Sequence, residues 1–318
     1  MSEHRASQVA AVHSIDHFAL NVPSLPEAER FFSAFGLDVT RAGGSLDIRA
    51  GDGHRWARIL PSGHKSLAYL SFNCFEADLP VIERQLKATG VSMESHPPAT
   101  VSETDGIWFN DPDGNLIQVR VGPKTTPHEK TALAHVEIAA DSRGSCMRSE
   151  LRTVRPRRMS HVLLFTPDTL RAVDFYERGL GLRLSDKSAD IIAFTHAPHG
   201  SDHHLLAFVK STAKGWHHVA WDVASIDEVG AGATQMAAAG FKAGWGTGRH
   251  VLGSNYFHYV RDPWGSFSEY SADMDFVSAG APWPAGDFLP EDSLYQWGPD
   301  VPDYFIRNTE VMPKHDRD

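Results

Sequence analysis

Three residues in the C-terminal half are of types that bind metal ions, and they stand in matching surroundings. They are His161 in Ser160-His161-Val162-Leu163-Leu164-Phe165, His218 in Trp216-His217-His218-Val219-Ala220-Trp221, and Glu269 in Phe267-Ser268-Glu269-Tyr270, after the turn Asp262-Pro263-Trp264-Gly265. Each sits in a short apolar run that reads as a β-strand, His161 and His218 opening theirs and Glu269 closing one. Strand side chains alternate between two faces, so a polar residue can point inward while its neighbours pack elsewhere. Two imidazoles and one carboxylate on a common face would hold one divalent ion with coordination positions left open, the donor set of non-haem Fe(II) oxygenases. A lone His in such a strand is more often a packed core residue, so the weight rests on the three occurring together.

A second, altered copy of the pattern adds to that weight. In the N-terminal half, His17 stands in Ile15-Asp16-His17-Phe18-Ala19-Leu20, Tyr69 in Ala68-Tyr69-Leu70-Ser71-Phe72, and Gln118 follows Asp111-Pro112-Asp113-Gly114. The pairs His17/His161, Tyr69/His218 and Gln118/Glu269 are 144, 149 and 151 residues apart. That near-constant offset implies duplicated domains. A phenol that keeps its proton at neutral pH and a neutral amide are poor ligands, so only the C-terminal copy is expected to hold a metal.

The elements that must position these residues repeat as well. Apolar spacing predicts helices over Leu25 to Phe35 and Thr169 to Gly179. Phe31 follows His17, and Phe175 follows His161, by 14 residues in both cases. Further helices are predicted over Ala77 to Thr89 and Ser225 to Ala239, each stopped by a glycine. Strand, helix and strands recur, which predicts an α+β chain of paired βαβββ modules, two per domain, with an open barrel-like sheet in each. The domains are read as 12–140 (without metal) and 155–275 (catalytic, metal-binding), after a loose polar leader over residues 1–11 and with a basic, Ser-rich linker over Asp141 to Arg158. The tail, 276–318, is rich in Pro, Gly and aromatic residues and too apolar to stay free, so it is expected to pack over a domain or a neighbouring subunit.

Composition excludes some partners. The chain has 318 residues, enough for two domains of about 150 residues that each bury a core. A net charge of -10, with Arg152 to Arg158 as the one basic run, argues against nucleic acid. No apolar run approaches the roughly 20 residues that cross a bilayer, and no signal-peptide core is visible at the N-terminus. With only Cys74 and Cys146, one in each half, a disulfide framework is not expected, and a soluble cytoplasmic protein is.

The segments His161 to Phe165, His203-His204-Leu205-Leu206-Ala207-Phe208, His217 to Trp221, and Gly248-Arg249-His250 through Tyr259 to Glu269-Tyr270 resemble the type I extradiol ring-cleavage dioxygenases of the vicinal oxygen chelate superfamily, over roughly residues 12 to 275. His250, Tyr259 and Glu269 fall at that family's spacing without a gap. The resemblance implies the duplicated vicinal oxygen chelate fold and Fe(2+) held by His161, His218 and Glu269, with Mn(2+) fitting the same donors. It implies His204 as the acid–base histidine, His203 being the less favoured of the pair, and His250 and Tyr259 as hydrogen-bonding groups for the substrate hydroxyls. The implied reaction is ring cleavage of a catechol by O2 in the breakdown of aromatic compounds, in a homo-oligomer. Trp245 stands where some members carry an Arg for a substrate carboxylate, so a neutral or apolar ring substituent is favoured. Two other readings are open: a metal-dependent glyoxalase-like isomerase or lyase, and a metal-free binding or resistance module.

Overall fold

The computed structural model describes residues 9–94, 105–134 and 137–311. Residues 1–8 of the expected leader lie outside these, and Ala11 is fully buried rather than loose. The N-terminal half runs β1 (Val12–Val22), α1 (Leu25–Ala34), β2 (Asp38–Ala42), β3 (Ser45–Arg49) and β4 (Arg55–Pro61). It continues with β5 (Ser66–Cys74), α2 (Leu79–Ala88), β6 (Met93–Glu94), β7 (Ile107–Asn110) and β8 (Leu116–Val121). The C-terminal half repeats the order with β9 (Arg158–Thr166), α3 (Thr169–Leu180), β10 (Arg183–Ser188), β11 (Ile192–His196), the short β12 (Ser201–Asp202) and β13 (Leu206–Lys210). Its second module is β14 (Gly215–Asp222), α4 (Ile226–Ala238), β15 (Gly244–Arg249), β16 (Tyr256–Arg261) and β17 (Phe267–Ala272). The tail adds β18 (Phe276–Val277), β19 (Gly286–Asp287) and α5 (Pro290–Ser293). Helix starts follow from local capping: Asp168 accepts from the Arg171 N–H, and Ser225 from that of Glu228.

Each half makes one open sheet, in the orders β2-β3-β4-β1-β5-β8-β7-β6 and β15-β16-β17-β14-β9-β13-β11-β10-β19. In both, the first strands of the two modules pair antiparallel near the centre. The offsets read from the sequence are also offsets in strand register. Ala19 opposite Tyr69 corresponds to Leu163 opposite His218, and Ser71 opposite Gln118 corresponds to Ala220 opposite Glu269. The duplication is therefore one of geometry and not only of composition.

Alternation then sorts β9 between two environments. Val162 and Leu164 join the large core that α3 and α4 help to close, whereas Leu163 and Phe165 join a smaller apolar cluster on the opposite face. His161 shares that second face. The large core draws residues from both halves, with Phe18 packing on Trp216 at 4.7 Å between ring centroids. Phe35 stacks on Tyr270 at 3.8 Å, and the Tyr270 hydroxyl donates to the Phe35 carbonyl over 2.9 Å. A Cβ on Gly232 would come within 2.7 Å of the Tyr270 ring, so that contact needs a glycine on α4. Lys65, from the N-terminal half, is buried and donates to the Trp216 carbonyl, to Ser266 and to Glu310 of the tail. Among the described residues no helix is long and apolar enough to cross a membrane.

Two expectations follow from this packing. Tyr270→Phe keeps the ring stack but leaves the buried Phe35 carbonyl without its donor, which costs about 1–3 kcal/mol; a lower denaturation midpoint at unchanged slope, with activity retained, is the outcome expected from denaturant unfolding. Acid stability follows from His13 and His196, where burial is the main cause lowering the pKa from 6.5, to about 3 and about 4 respectively. Below pH 6.5 the unfolded chain takes up protons on these rings that the folded chain refuses. The rings therefore cost nothing above pH 6.5, and stability falls as pH drops below it toward about 4, by up to about 1.4 kcal/mol per pH unit for each ring. Unfolding midpoints measured from pH 7 to pH 4.5 check the slope.

Candidate metal centre

His161, His218 and Glu269 come from three adjacent strands, β9, β14 and β17, in the middle of the C-terminal sheet. The sequence reading placed the histidines at strand starts and Glu269 at a strand end; all three are interior to their strands, where neighbours on both sides hold the backbone. They converge. His161 Nε2 is 3.2 Å from His218 Nε2 and 3.4 Å from Glu269 Oε2, and His218 Nε2 is 3.5 Å from the same oxygen. Three donors about 2.1 Å from one ion, at right angles, sit about 3 Å apart, so this triangle fits a single metal. The buried Glu269 Oε2 has no hydrogen-bond partner, which is what a ligand oxygen awaiting a cation requires.

The second requirement is that the nitrogens facing the ion carry no proton, and the chain arranges this from behind each ring. Between Trp216 and His218 the pairing of β14 with β9 slips by one residue, so that His217 has no partner of its own. This bulge puts His217 and His218 on the same face. His217 Nε2 donates to the Phe305 carbonyl over 2.9 Å, which leaves its Nδ1 to accept from His218 Nδ1 over 2.7 Å. The Nε2 of His218 is then bare. Burial, followed by the surrounding His217, His161 and His250, holds the His218 imidazole well below its ordinary pKa, so it is neutral at pH 7. On His161, Nδ1 lies 3.2 Å from Ser160 Oγ, whose own proton goes to Asp202, and Nε2 again is left bare. Glu269 is aimed by Asn255, whose amide donates to Oε1 over 2.9 Å and to Ser271 over 3.0 Å.

The triad opens into a cavity of about 190 Å³. His204, His250 and Tyr259 line it together with the two metal-type histidines, so five sequence-derived site residues share one wall system. His204 lies 4.1 Å from the His161 ring, and burial is the largest cause lowering its pKa well below the ordinary value. His250 donates through Nδ1 to the Leu294 carbonyl at 2.7 Å, and its Nε2 accepts from the Tyr259 hydroxyl at 2.9 Å. Burial and then Glu269 keep that phenol protonated. His203 is also buried but does not line the cavity; it stands behind His204. The remaining wall is largely apolar, with Leu163, Ile192, Phe194, Val209, Leu252 and Phe305, and is interrupted by Ser188, His217, Asn255 and Ser293.

Trp245 is placed otherwise than expected. It does not line the cavity but packs behind it, on Tyr259 and Phe257, with its N–H on the Pro299 carbonyl. Its bearing on substrate charge is therefore indirect, and the direct fact is that no Lys or Arg is among the described lining residues. The sequence reading also missed Asn255, His217 and the tail carbonyls of Leu294 and Phe305, which orient the site residues. Nothing in their local sequence marks them, because each acts through a partner distant along the chain.

The N-terminal copy shows what replaces a metal. His17 Nε2 meets the Tyr69 hydroxyl at 2.9 Å, and Gln118 Oε1 accepts from Ser71 at 2.6 Å. The equivalent atoms are thus satisfied by one another. Among the described residues, His161, His218 and Glu269 form the one group of three or more metal-type side chains.

Comparison with known proteins agrees with the fold. The family model for the Glyoxalase/Bleomycin resistance protein/Dioxygenase superfamily matches residues 158–270. Metapyrocatechase 2 of Cupriavidus necator is 61% identical over 301 residues, covering 95% of this chain and 93% of its own. Among solved structures, the Mn(II)-bound glyoxalase from Novosphingobium aromaticivorans superposes with a TM-score of 0.75 at 23% identity, over 93% of this chain and 95% of that one. The 2,3-dioxygenase LapB from Pseudomonas sp. KL28 superposes at 0.70 and 20% identity, over 88% and 98%. At such identities the structural likeness speaks for the fold alone, and the family rests on the near-full-length relative. The chain belongs to the metal-dependent extradiol ring-cleavage dioxygenases of the vicinal oxygen chelate superfamily.

Proposed function

We propose that this chain uses Fe(II) to cleave the ring of a catechol carrying a neutral, apolar substituent, with both atoms of O2 entering the product. The observation that carries the reading is the unpartnered Glu269 oxygen converging with two bare imidazole nitrogens at the base of a largely apolar cavity. His161, His218 and Glu269 would hold the ion, the unit 155–275 would be the catalytic domain, and the unit 12–140 a metal-free support. Bound there, the ion would supply a template with open positions for both reactants and a path for electrons between them.

The remaining steps belong to side chains. His204, neutral and lining the cavity, takes a proton from a catechol hydroxyl and returns it during cleavage. Tyr259, when its hydroxyl turns from His250 Nε2 to the substrate, donates to an oxygen on which negative charge grows, and His250, whose Nδ1–H is held by the Leu294 carbonyl, donates there only with a proton on Nε2. The described part of the tail, 276–311, supplies Leu294, Phe305 and Ile306 to the wall and keeps water from the ring. Assembly into a homo-oligomer completes the proposal. Oxygen uptake with a panel of catechols, followed by the yellow ring-opened product, tests it directly. Turnover of substrate in the absence of O2 would instead mark an isomerase or lyase.

Two measurable consequences follow. Elemental analysis of anaerobically prepared protein should find one metal per chain, lost with activity in His161→Ala or His218→Ala and unchanged in His17→Ala. Two ions per chain would overturn the assignment. Because no Lys or Arg is among the described lining residues, a substrate carboxylate would be buried unpaired at a cost of several kcal/mol. Alkyl- or aryl-substituted catechols should therefore exceed acid-bearing catechols in kcat/KM by roughly 100-fold or more, and a preference for the acids would refute the substrate class.

A further inference from the structure

Asp186 and His203 have no part in the metal site, yet both are buried and both are joined to His204. His203 Nε2 lies 2.8 Å from Asp186 Oδ2, and His203 Nδ1 lies 3.0 Å from His204 Nδ1. A carboxylate only accepts, so His203 carries its proton on Nε2. A neutral imidazole has one such proton, which leaves His203 Nδ1 to accept from His204 Nδ1–H. His204 Nε2 is then the bare nitrogen left for a ligand in the cavity. The chain of contacts is braced from outside: Asp186 Oδ1 accepts from the Gly286 N–H of β19 at 2.8 Å, and Trp283 packs its ring edge-on to His203 at 5.2 Å.

The neighbouring pair His217–His218 has the same wiring with a different end. There the chain terminates on a peptide carbonyl, which suits a ring that stays neutral as a ligand. Here it terminates on a carboxylate, which suits a ring that becomes cationic in turn, since a nearby negative charge favours imidazolium.

We infer that Asp186 and His203 are positioning residues that hold His204 in the tautomer whose Nε2 lone pair meets the substrate hydroxyl. The inference rests on the proposed acid–base role of His204. As the hydroxyl O–H bond breaks, its electrons stay on oxygen and the proton passes to Nε2. The Nδ1 proton remains between the two rings, and Asp186 offsets the new charge; the same nitrogen later gives the proton back. The connection that carries both histidines, residues 197–205 between β11 and β13, is longer than its N-terminal counterpart, 50–54 between β3 and β4. The relay is thus an addition to the duplicated module.

Proton-detected 15N spectra of histidine-labelled, metal-free protein read the tautomer without turnover. Wild-type His204 should carry its proton on Nδ1, and a proton on Nε2 would overturn the inference. In Asp186→Asn the amide can donate to His203 Nε2 and reverse both tautomers. The wrong tautomer is worth up to about 10⁴-fold in the Ser-His-Asp triad. The expected result is an Nε2–H signal on His204 and at least a tenfold fall in kcat, with KM within about twofold and metal content unchanged. His203→Leu should also lose turnover, and His203→Asn, whose amide oxygen can stand near Nδ1, should recover part of it. His204→Phe should lower kcat by roughly 100- to 10,000-fold. If it does so while Asp186→Asn and His203→Leu keep wild-type kcat and tautomer, the relay is wrong and the role of His204 stands. If His204→Phe is fully active, that role itself is removed.

Discussion

A carboxylate oxygen held without a partner in the protein interior is the constraint on which the rest of the structure depends. Glu269 is fully buried, and its Oε2 faces two imidazole nitrogens at 3.4 and 3.5 Å without a hydrogen-bond partner among the described residues. Such an arrangement is costly and persists only where the surroundings over-determine it. Placing the three side chains on neighbouring central strands meets that demand, since each backbone is held by hydrogen bonds on both sides. Asn255 fixes the second carboxylate oxygen so that the first cannot turn away.

Proton placement is the other half of the same problem. Convergent nitrogens bind a cation only if they are bare, and tautomers are set by the partner of the far nitrogen. The chain solves this with a one-residue bulge that stacks His217 behind His218, and with a tail that brings the Phe305 carbonyl to His217. The tail is therefore part of the site and not merely a cover. Lys65 ties it down from the other half, through Glu310 at 3.0 Å and the carbonyl of Trp216 at 3.0 Å, beside the metal-type pair.

The N-terminal half marks the contrast. There Tyr69 and Gln118 stand in the registers of His218 and Glu269, and the polar atoms close on one another through His17 and Ser71. At these registers no oxygen is left facing converging nitrogens, which is what sets this half apart. Its aromatic residues Phe18 and Phe35 pack directly behind the strands that carry the metal-type residues.

Much of this was legible in the chain itself. Repetition of His-apolar strands, aromatic helices and Asp-Pro-x-Gly turns at a near-constant offset determined the duplicated α+β plan, and the loss of two donors in one copy determined which half could hold a metal. Those are local properties, because strand alternation and ligand chemistry depend on residue type and short spacing. Tertiary structure alone decided that His217, held by the Phe305 carbonyl, keeps the outer nitrogen of His218 bare, that Trp245 lies behind the cavity, that Asn255 orients Glu269, and that His203 reaches Asp186. Each of these depends on where a proton or a lone pair ends up, and that is set by partners that meet only when distant strands and the tail are brought together.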